Sequence, residues 1–290
     1  MLSQTSSAIE RLNGMAVRGP YAPLRRDLRP LWAWTLALTG FAAGFAVGLV
    51  GVVKVWVGAP ATEYTWWSAA GECVSDVSLT AFLVVVTYGL VWHLCERWVT
   101  PRSNGLTRVR RELTIGGVAS GAFIGSALVM AVLAKITGSG APDFPFPSYS
   151  PNVAIQLMSC ATAGFREEPL FCVLIPLALM ASGRSLVFAA SVSAALRVSF
   201  HLYYGWSALA LGLWGFFAVV LAIRTGYVLG MAVAHSLWDV LVALPHVAPS
   251  ATLWLAGVRI ALLLLAFASA LTWMRQRRPP EGHTPSEAYT

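Results

Sequence analysis

LWAWTLALTGFAAGFAVGLVGVVKV, residues 31–55, carries no charged side chain before Lys54. At about 1.5 Å of rise per residue, ~20 such residues in a helix match the ~30 Å hydrocarbon core of a bilayer. Further apolar windows follow at 74–95, 114–136, 152–182, 185–204, 207–223, 226–244 and 251–273. The composition agrees: 57% of the 290 residues are hydrophobic and 11% are charged, against roughly a quarter charged in a soluble domain. Mean hydropathy is +0.67. The expected fold is therefore all-α, a polytopic integral membrane bundle of about eight transmembrane helices.

The net charge of +7 does not point to nucleic acid. Its basic residues fall in short runs between apolar windows and do not interleave with aromatics along a groove. They read as topology signals. One set of connections holds Arg11, Arg18, Arg25, Arg26 and Arg29, then Arg97, Arg102, Arg108, Arg110 and Arg111, then Arg184, Arg224, Arg275, Arg277 and Arg278. The opposite set holds Glu63, Glu72 and Asp143. Positive charge collects on the cytoplasmic face, so both termini are expected there, in the cytoplasmic membrane. The expected organisation is a basic N-terminal segment over 1–30, a membrane domain over 31–273 and a polar, disordered tail over 274–290. No short apolar core with a cleavage site precedes the first window, so no removable signal peptide is expected.

Four cysteines give no metal or disulfide spacing: Cys73 is expected in a loop, Cys95 at a span end, and Cys160 and Cys172 inside a span. Gly40, Gly44 and Gly48, and likewise Gly117, Gly121 and Gly125, form small-residue faces that let helix backbones approach in lipid. They suit packing within the bundle, with homo-oligomerisation as the alternative. Trp32, Trp34, Trp66, Trp67, Tyr203, Tyr204, Trp206 and Trp273 lie at span ends, where interfacial aromatics belong. Lys54 and Lys135 are near enough to span ends to snorkel, and His93 and His246 need no function.

Ionisable groups within apolar spans are different, because each costs at least a few kcal/mol unless paired or solvated. The mid-span candidates are Arg166, Glu167 and Glu168 on the fourth span, Arg197 and His201 on the fifth, and His235 and Asp239 on the seventh, all in the second half. Counting helix rise from the cytoplasmic ends puts Glu167 and His201 ~25 Å deep, Asp239 ~20 Å and His235 ~15 Å. The i, i+4 pairs His235 and Asp239, and Arg197 and His201, each share a helix face. Acids and imidazoles meeting in a low-dielectric cavity are suited to activating water.

Three runs carry these residues: Arg166-Glu167-Glu168-Pro169-Leu170-Phe171, Arg197-Val198-Ser199-Phe200-His201 and His235-Ser236-Leu237-Trp238-Asp239. In that order, on separate helices, they resemble the EExxxR, FxxxH and HxxxN/D signatures of the CPBP family. This family comprises the type II (Rce1-like) CAAX prenyl endopeptidases and the bacteriocin-processing (Abi) intramembrane proteases. The resemblance covers about residues 152–245. It implies an intramembrane endopeptidase in which Glu167 is the general base, working with His201 on a water. It also implies that His235 and the residue at 239 stabilise the oxyanion. Position 239 is Asp here; an ionised carboxylate only accepts hydrogen bonds, so Asp239 is expected to orient His235.

The family arginine falls at Cys172 and the family phenylalanine at Arg197. The fourth and fifth helices are antiparallel, so one turn from Glu168 and one turn from His201 lead the same way. Arg197 is thereby expected to pair with Glu168 in place of the missing arginine. Pro169 is expected to kink its helix. The glutamate and water reading requires no cofactor. The donor set Glu167, His201, His235 and Asp239 leaves a metalloprotease-like zinc site open, although no HExxH or cysteine cluster supports one. Expected partners are membrane lipid and a peptide or membrane-associated substrate, with no nucleic acid. Three other readings stand beside the protease: a polar network that only locks helices, a degenerate family member that binds or confers immunity without cutting, and a proton-coupled transporter. The last calls for matching polar groups in the first half.

Overall fold

Proline at a first helical position gives up only an N–H that would have no intrahelical partner, and the first helix, α1 (Pro30–Trp56), starts this way. The computed structural model describes residues 28–58, 65–95, 105–138, 153–247 and 252–276. Among these it is helical throughout, with no strand.

α2 (Trp66–Leu94) begins eight residues earlier than its apolar window because Thr65 and Ser68 form a capping box. Thr65 Oγ1 accepts from the Ser68 amide, and Ser68 Oγ accepts from the Thr65 amide. Two amides without helical partners are satisfied, and Cys73, expected in a loop, lies on the helix. α3 (Gly105–Thr137) likewise takes in Arg108, Arg110 and Arg111. The fourth window becomes α4 (Val153–Pro169), a π-helical turn (Leu170–Leu174) and α5 (Ile175–Ala181) in one unbroken run.

The fifth window does not hold as one helix. α6 (Leu186–Ser199) starts at Ser185, whose Oγ accepts from the Phe188 amide, and ends before His201. A 3-10 segment (Leu202–Ala208) leads into α7 (Leu209–Thr225), which Gly226 closes in the left-handed conformation at φ 72°. Glycine is the usual residue at such a C-terminal cap. α8 (Leu229–Val247) and α9 (Thr252–Gln276) follow. α9 runs into the start of the segment expected to be a disordered tail.

By length and apolarity, three helical stretches among the described residues can cross a membrane, Cys73–Leu94, Thr107–Thr137 and Leu202–Thr225. The bent pair Pro30–Ala46 and Gly48–Lys54 makes a fourth if it counts as one span. The others are shorter or carry charge: the 14 residues of α6 cover only ~21 Å at helical rise. The residues expected to set orientation, Arg11, Arg18, Arg25, Arg26, Arg97, Arg102, Arg277, Arg278, Glu63 and Asp143, and also His246 in its side chain, lie outside the described residues.

α8 is the central element, packed between α3 and α4. Close backbone approach makes this possible. A Cβ on Gly164 of α4 would collide with the Ala232 carbonyl and the Ser236 backbone of α8, and one on Gly230 would collide with the Glu112 carbonyl of α3. Polar bonds lock both crossings: Ser236 Oγ accepts from the Gly164 amide, and Glu112 Oε2 accepts from the Gly230 amide at 2.8 Å near the start of α8. The glycine ladders also pack internally. Gly40 and Gly44 face Leu170, Gly48 faces Phe200, and Gly117 and Gly121 face Ser269 and Ala266 of α9, whereas Gly125 meets nothing within 4 Å.

Overpacking a tight contact costs about 1–3 kcal/mol, so Gly164→Ala and Gly125→Ala are expected to differ. Thermal unfolding of the purified chain in detergent should show a lowered midpoint for Gly164→Ala and an unchanged or slightly raised one for Gly125→Ala. Equal midpoints would contradict the α4–α8 crossing.

Candidate active site

Two consecutive glutamates at the end of α4 cannot share a direction, since neighbouring helical residues are about 100° apart. With Arg166 they reach three different neighbours. Arg166 Nη1 pairs with Asp76 Oδ1 of α2 at 2.7 Å, and Ser159, two turns earlier on α4, donates to the other Asp76 oxygen at 2.8 Å. The Arg166 guanidinium also lies over the Phe45 ring. Asp76 was not among the expected site residues. The Thr65 and Ser68 cap is the signal that places it well inside a helix rather than at a span edge.

Glu168 is fully buried and has three donors. Arg197 Nη1 of α6 gives it 2.9 Å, His235 Nδ1 of α8 gives 2.6 Å, both to Oε1, and Cys172 Sγ donates to Oε2 at 2.9 Å. Arg197 is 1% exposed and its guanidinium also lies 5.0 Å from the Phe171 ring. The geometry puts this guanidinium on Glu168 from the α6 side while Cys172 approaches from within the π turn.

That turn follows from Pro169, which has no N–H to continue the α-helical ladder. The chain instead closes with the wider bond from the Ile175 amide to the Leu170 carbonyl. π-bulges of this kind recur at functional sites. Ser193 Oγ of α6 donates to the Phe171 carbonyl inside the widened turn, tying it to the helix that carries Arg197.

Both histidines are fixed at Nδ1. His201 Nδ1 lies 2.9 Å from the Arg197 carbonyl. A carbonyl only accepts, so Nδ1 carries the proton and Nε2 keeps its lone pair. His235 Nδ1 meets a carboxylate already bound to a guanidinium, so this nitrogen too is the donor. Its Nε2 then faces Asp239 Oδ2 at 3.5 Å and Glu167 Oε2 at 3.9 Å. The shortest bond to His235 comes from Glu168, with Asp239 on the opposite ring nitrogen.

Glu167 is 5% exposed, and its Oε2 has no hydrogen-bond partner among the described residues. His235, Glu167 and Asp239 thus form one cluster around the His235 Nε2 atom. The side chain of Asp239, at 32% exposure, is the most open of the groups around His235. Aromatic rings wall the rest. Phe123 of α3 lies 4.9 Å from the His235 ring, and Phe200 lies 4.1 Å from the His201 ring. Phe200 in turn stacks on Phe45 of α1 and Phe171.

Tyr203 and Tyr204 are half-buried beside His201. Only Trp206 of that run is exposed. The donors considered for zinc do not fit a metal centre: among the described residues no three His, Cys, Asp or Glu side chains are grouped to hold an ion.

Residues 149–241 match the family described as "Rce1-like: Type II CAAX prenyl endopeptidase Rce1-like". No curated protein and no solved structure matches the chain. The matched segment is about a third of the sequence, and it contains Glu167, Glu168, Arg197, His201, His235 and Asp239. The resemblance of the three motifs thus has independent support, and the matched family is one of membrane proteases. Asp76, Phe45 and Phe123, which complete the surroundings of the cluster, lie outside it.

Removing one partner of a buried ion pair leaves an uncompensated charge and costs about 3–5 kcal/mol. Arg197→Ala should therefore lower the unfolding midpoint strongly in detergent, and adding Glu168→Gln should recover part of the loss. Arg166→Ala, which breaks a partly solvated pair, should cost less. An Arg197→Ala midpoint equal to wild type would contradict the pairing.

Proposed function

We propose that this chain is an intramembrane endopeptidase that hydrolyses a peptide bond of a membrane-associated substrate with water activated between Glu167 and His201. The observation that carries the reading is the Glu168 centre, which fixes His235 through Nδ1 and stands one residue from Glu167, whose Oε2 has no hydrogen-bond partner among the described residues. It is the arrangement a water-activating site needs: one acid held as structure and its neighbour left for proton transfer.

In this reading Glu167 takes a proton from water as the oxygen attacks the scissile carbonyl, and His201 Nε2 positions that water. The peptide carbonyl becomes a tetrahedral oxyanion, towards which His235 Nε2 donates when protonated. Glu167 then returns the proton to the departing amine, and the C–N bond breaks. Glu168 touches no reacting atom and acts by holding the His235 ring.

The membrane setting belongs to the same proposal: a multi-pass protein of the cytoplasmic membrane, about eight spans, both termini on the cytoplasmic side, residues 31–273 as the membrane domain and 152–245 as its catalytic core. The Arg197 pairing weakens the reading of a degenerate binding protein, because the charge lost at Cys172 is replaced on the same glutamate. The first-half acids Asp76 and Glu112 are already engaged, by Arg166 and by the Gly230 amide, which gives the transporter reading little to work with.

The test is N-terminal peptide profiling of membranes from cells expressing wild type, Glu167→Gln and His201→Ala at matched levels. New N-termini present with wild type and lost with both variants are expected, and they identify the substrate. Identical profiles for the three would overturn the protease reading.

A further inference from the structure

An oxyanion in an apolar bundle needs hydrogen-bond donors already in place. Position 239, which the family resemblance assigns to the oxyanion, holds a carboxylate that can only accept when ionised. On the proposed mechanism this leaves His235 as the single donor so far identified, with Asp239 and Glu167 both near its Nε2. A neutral donor close to this acidic pair is what the chemistry lacks.

The segment after His201 contains one. Tyr204 lies nearly parallel to the His201 ring, 12° between planes and 6.1 Å between centroids, and Tyr203 sits 4.3 Å from Tyr204. Tyr204 thereby stands beside the imidazole proposed to position the water. A phenol is a donor that stays neutral in such surroundings, unlike a carboxylate.

The backbone is built to hold this pair in place. Gly205 has φ 64° and ψ −148°, a region essentially restricted to glycine. It turns the chain directly after the two tyrosines. The Tyr204 amide donates to the His201 carbonyl at 2.9 Å, and Ser207 Oγ donates to the Tyr204 carbonyl at 2.7 Å. Trp56 of α1 donates its indole N–H to the Leu202 carbonyl at 3.2 Å. A turn anchored from both sides is a better explanation of half-buried tyrosines than an interfacial belt.

We propose that Tyr204 is a catalytic residue whose hydroxyl donates to the oxyanion, in the role that the carboxylate at position 239 does not fill, with Tyr203 positioning it. The inference rests on the endopeptidase reading. Phenylalanine at 204 keeps the ring on His201 and removes only the hydroxyl, so its effect isolates the hydrogen bond.

The experiment uses the full chain in detergent and a mixed peptide library read by mass spectrometry. kcat and KM are then measured on a peptide that wild type cuts and Glu167→Gln leaves intact. Tyr204→Phe is expected to lower kcat by about 100- to 1,000-fold with KM within a few-fold of wild type. Adding Asp239→Asn, which supplies an amide donor, is expected to restore most of that loss, a rescue that a folding defect would not show. Wild type that cuts no peptide spared by Glu167→Gln overturns the endopeptidase reading and this inference together. A wild type that cuts, with Tyr204→Phe equally fast or not rescued by Asp239→Asn, overturns this inference alone.

Discussion

A carboxylate with no exposure to solvent must have its charge answered within the protein, and Glu168 has it answered by Arg197. Burying this pair is costly, and its attraction compensates only with good geometry and further hydrogen bonds. The surrounding helices provide both. His235 and Cys172 donate to the remaining lone pairs, the Phe171 ring lies against the guanidinium, and Ser193 ties α6 to the π turn. Three chain segments that are separate in sequence, α4, α6 and α8, therefore meet at one side chain. The candidate chemistry inherits its geometry from that junction, since both histidines are oriented by residues of it.

Close packing allows the junction to form. Gly164 lets α4 touch the backbone of α8 one turn before the two glutamates, and Gly230 lets α3 touch α8 from the other side. Pro169 then ends the regular ladder and the wider turn carries Cys172 back towards Glu168. The aromatic residues Phe45, Phe171 and Phe200 fill the space towards α1, while Phe123 covers His235. A polar cluster is thus enclosed by apolar rings on its helical sides, and the most open group beside it is Asp239.

Much of this could be read from residue order alone. The apolar windows locate the helices because hydrophobic length is a coarse property that local detail does not disturb. The charged residues within them mark the site, and antiparallel neighbours make the Arg197 exchange for Cys172 a matter of counting turns. What escaped is of another kind. The start of α2 is set by a two-residue cap rather than by hydropathy, and Asp76, which pairs with Arg166 of α4, belongs to no motif that would mark it. The break after Ser199 depends on the turn that Gly205 permits, and an apolar window running through it gives no sign of that turn. Asp239 and Glu168 are both acids within reach of His235, and sequence spacing favours the one on the same helix. Only the crossing of α4 over α8 reveals that the other makes the short bond.

The most direct test moves the positive charge between its two positions. Thermal unfolding in detergent would compare wild type, Arg197→Phe, Cys172→Arg and the double variant. If Glu168 organises the site by binding one guanidinium, each single change lowers the midpoint, by removing the charge or by crowding two together. The double variant then recovers most of the loss. An Arg197→Phe chain as stable as wild type, or a double variant no better than Arg197→Phe, would contradict the account.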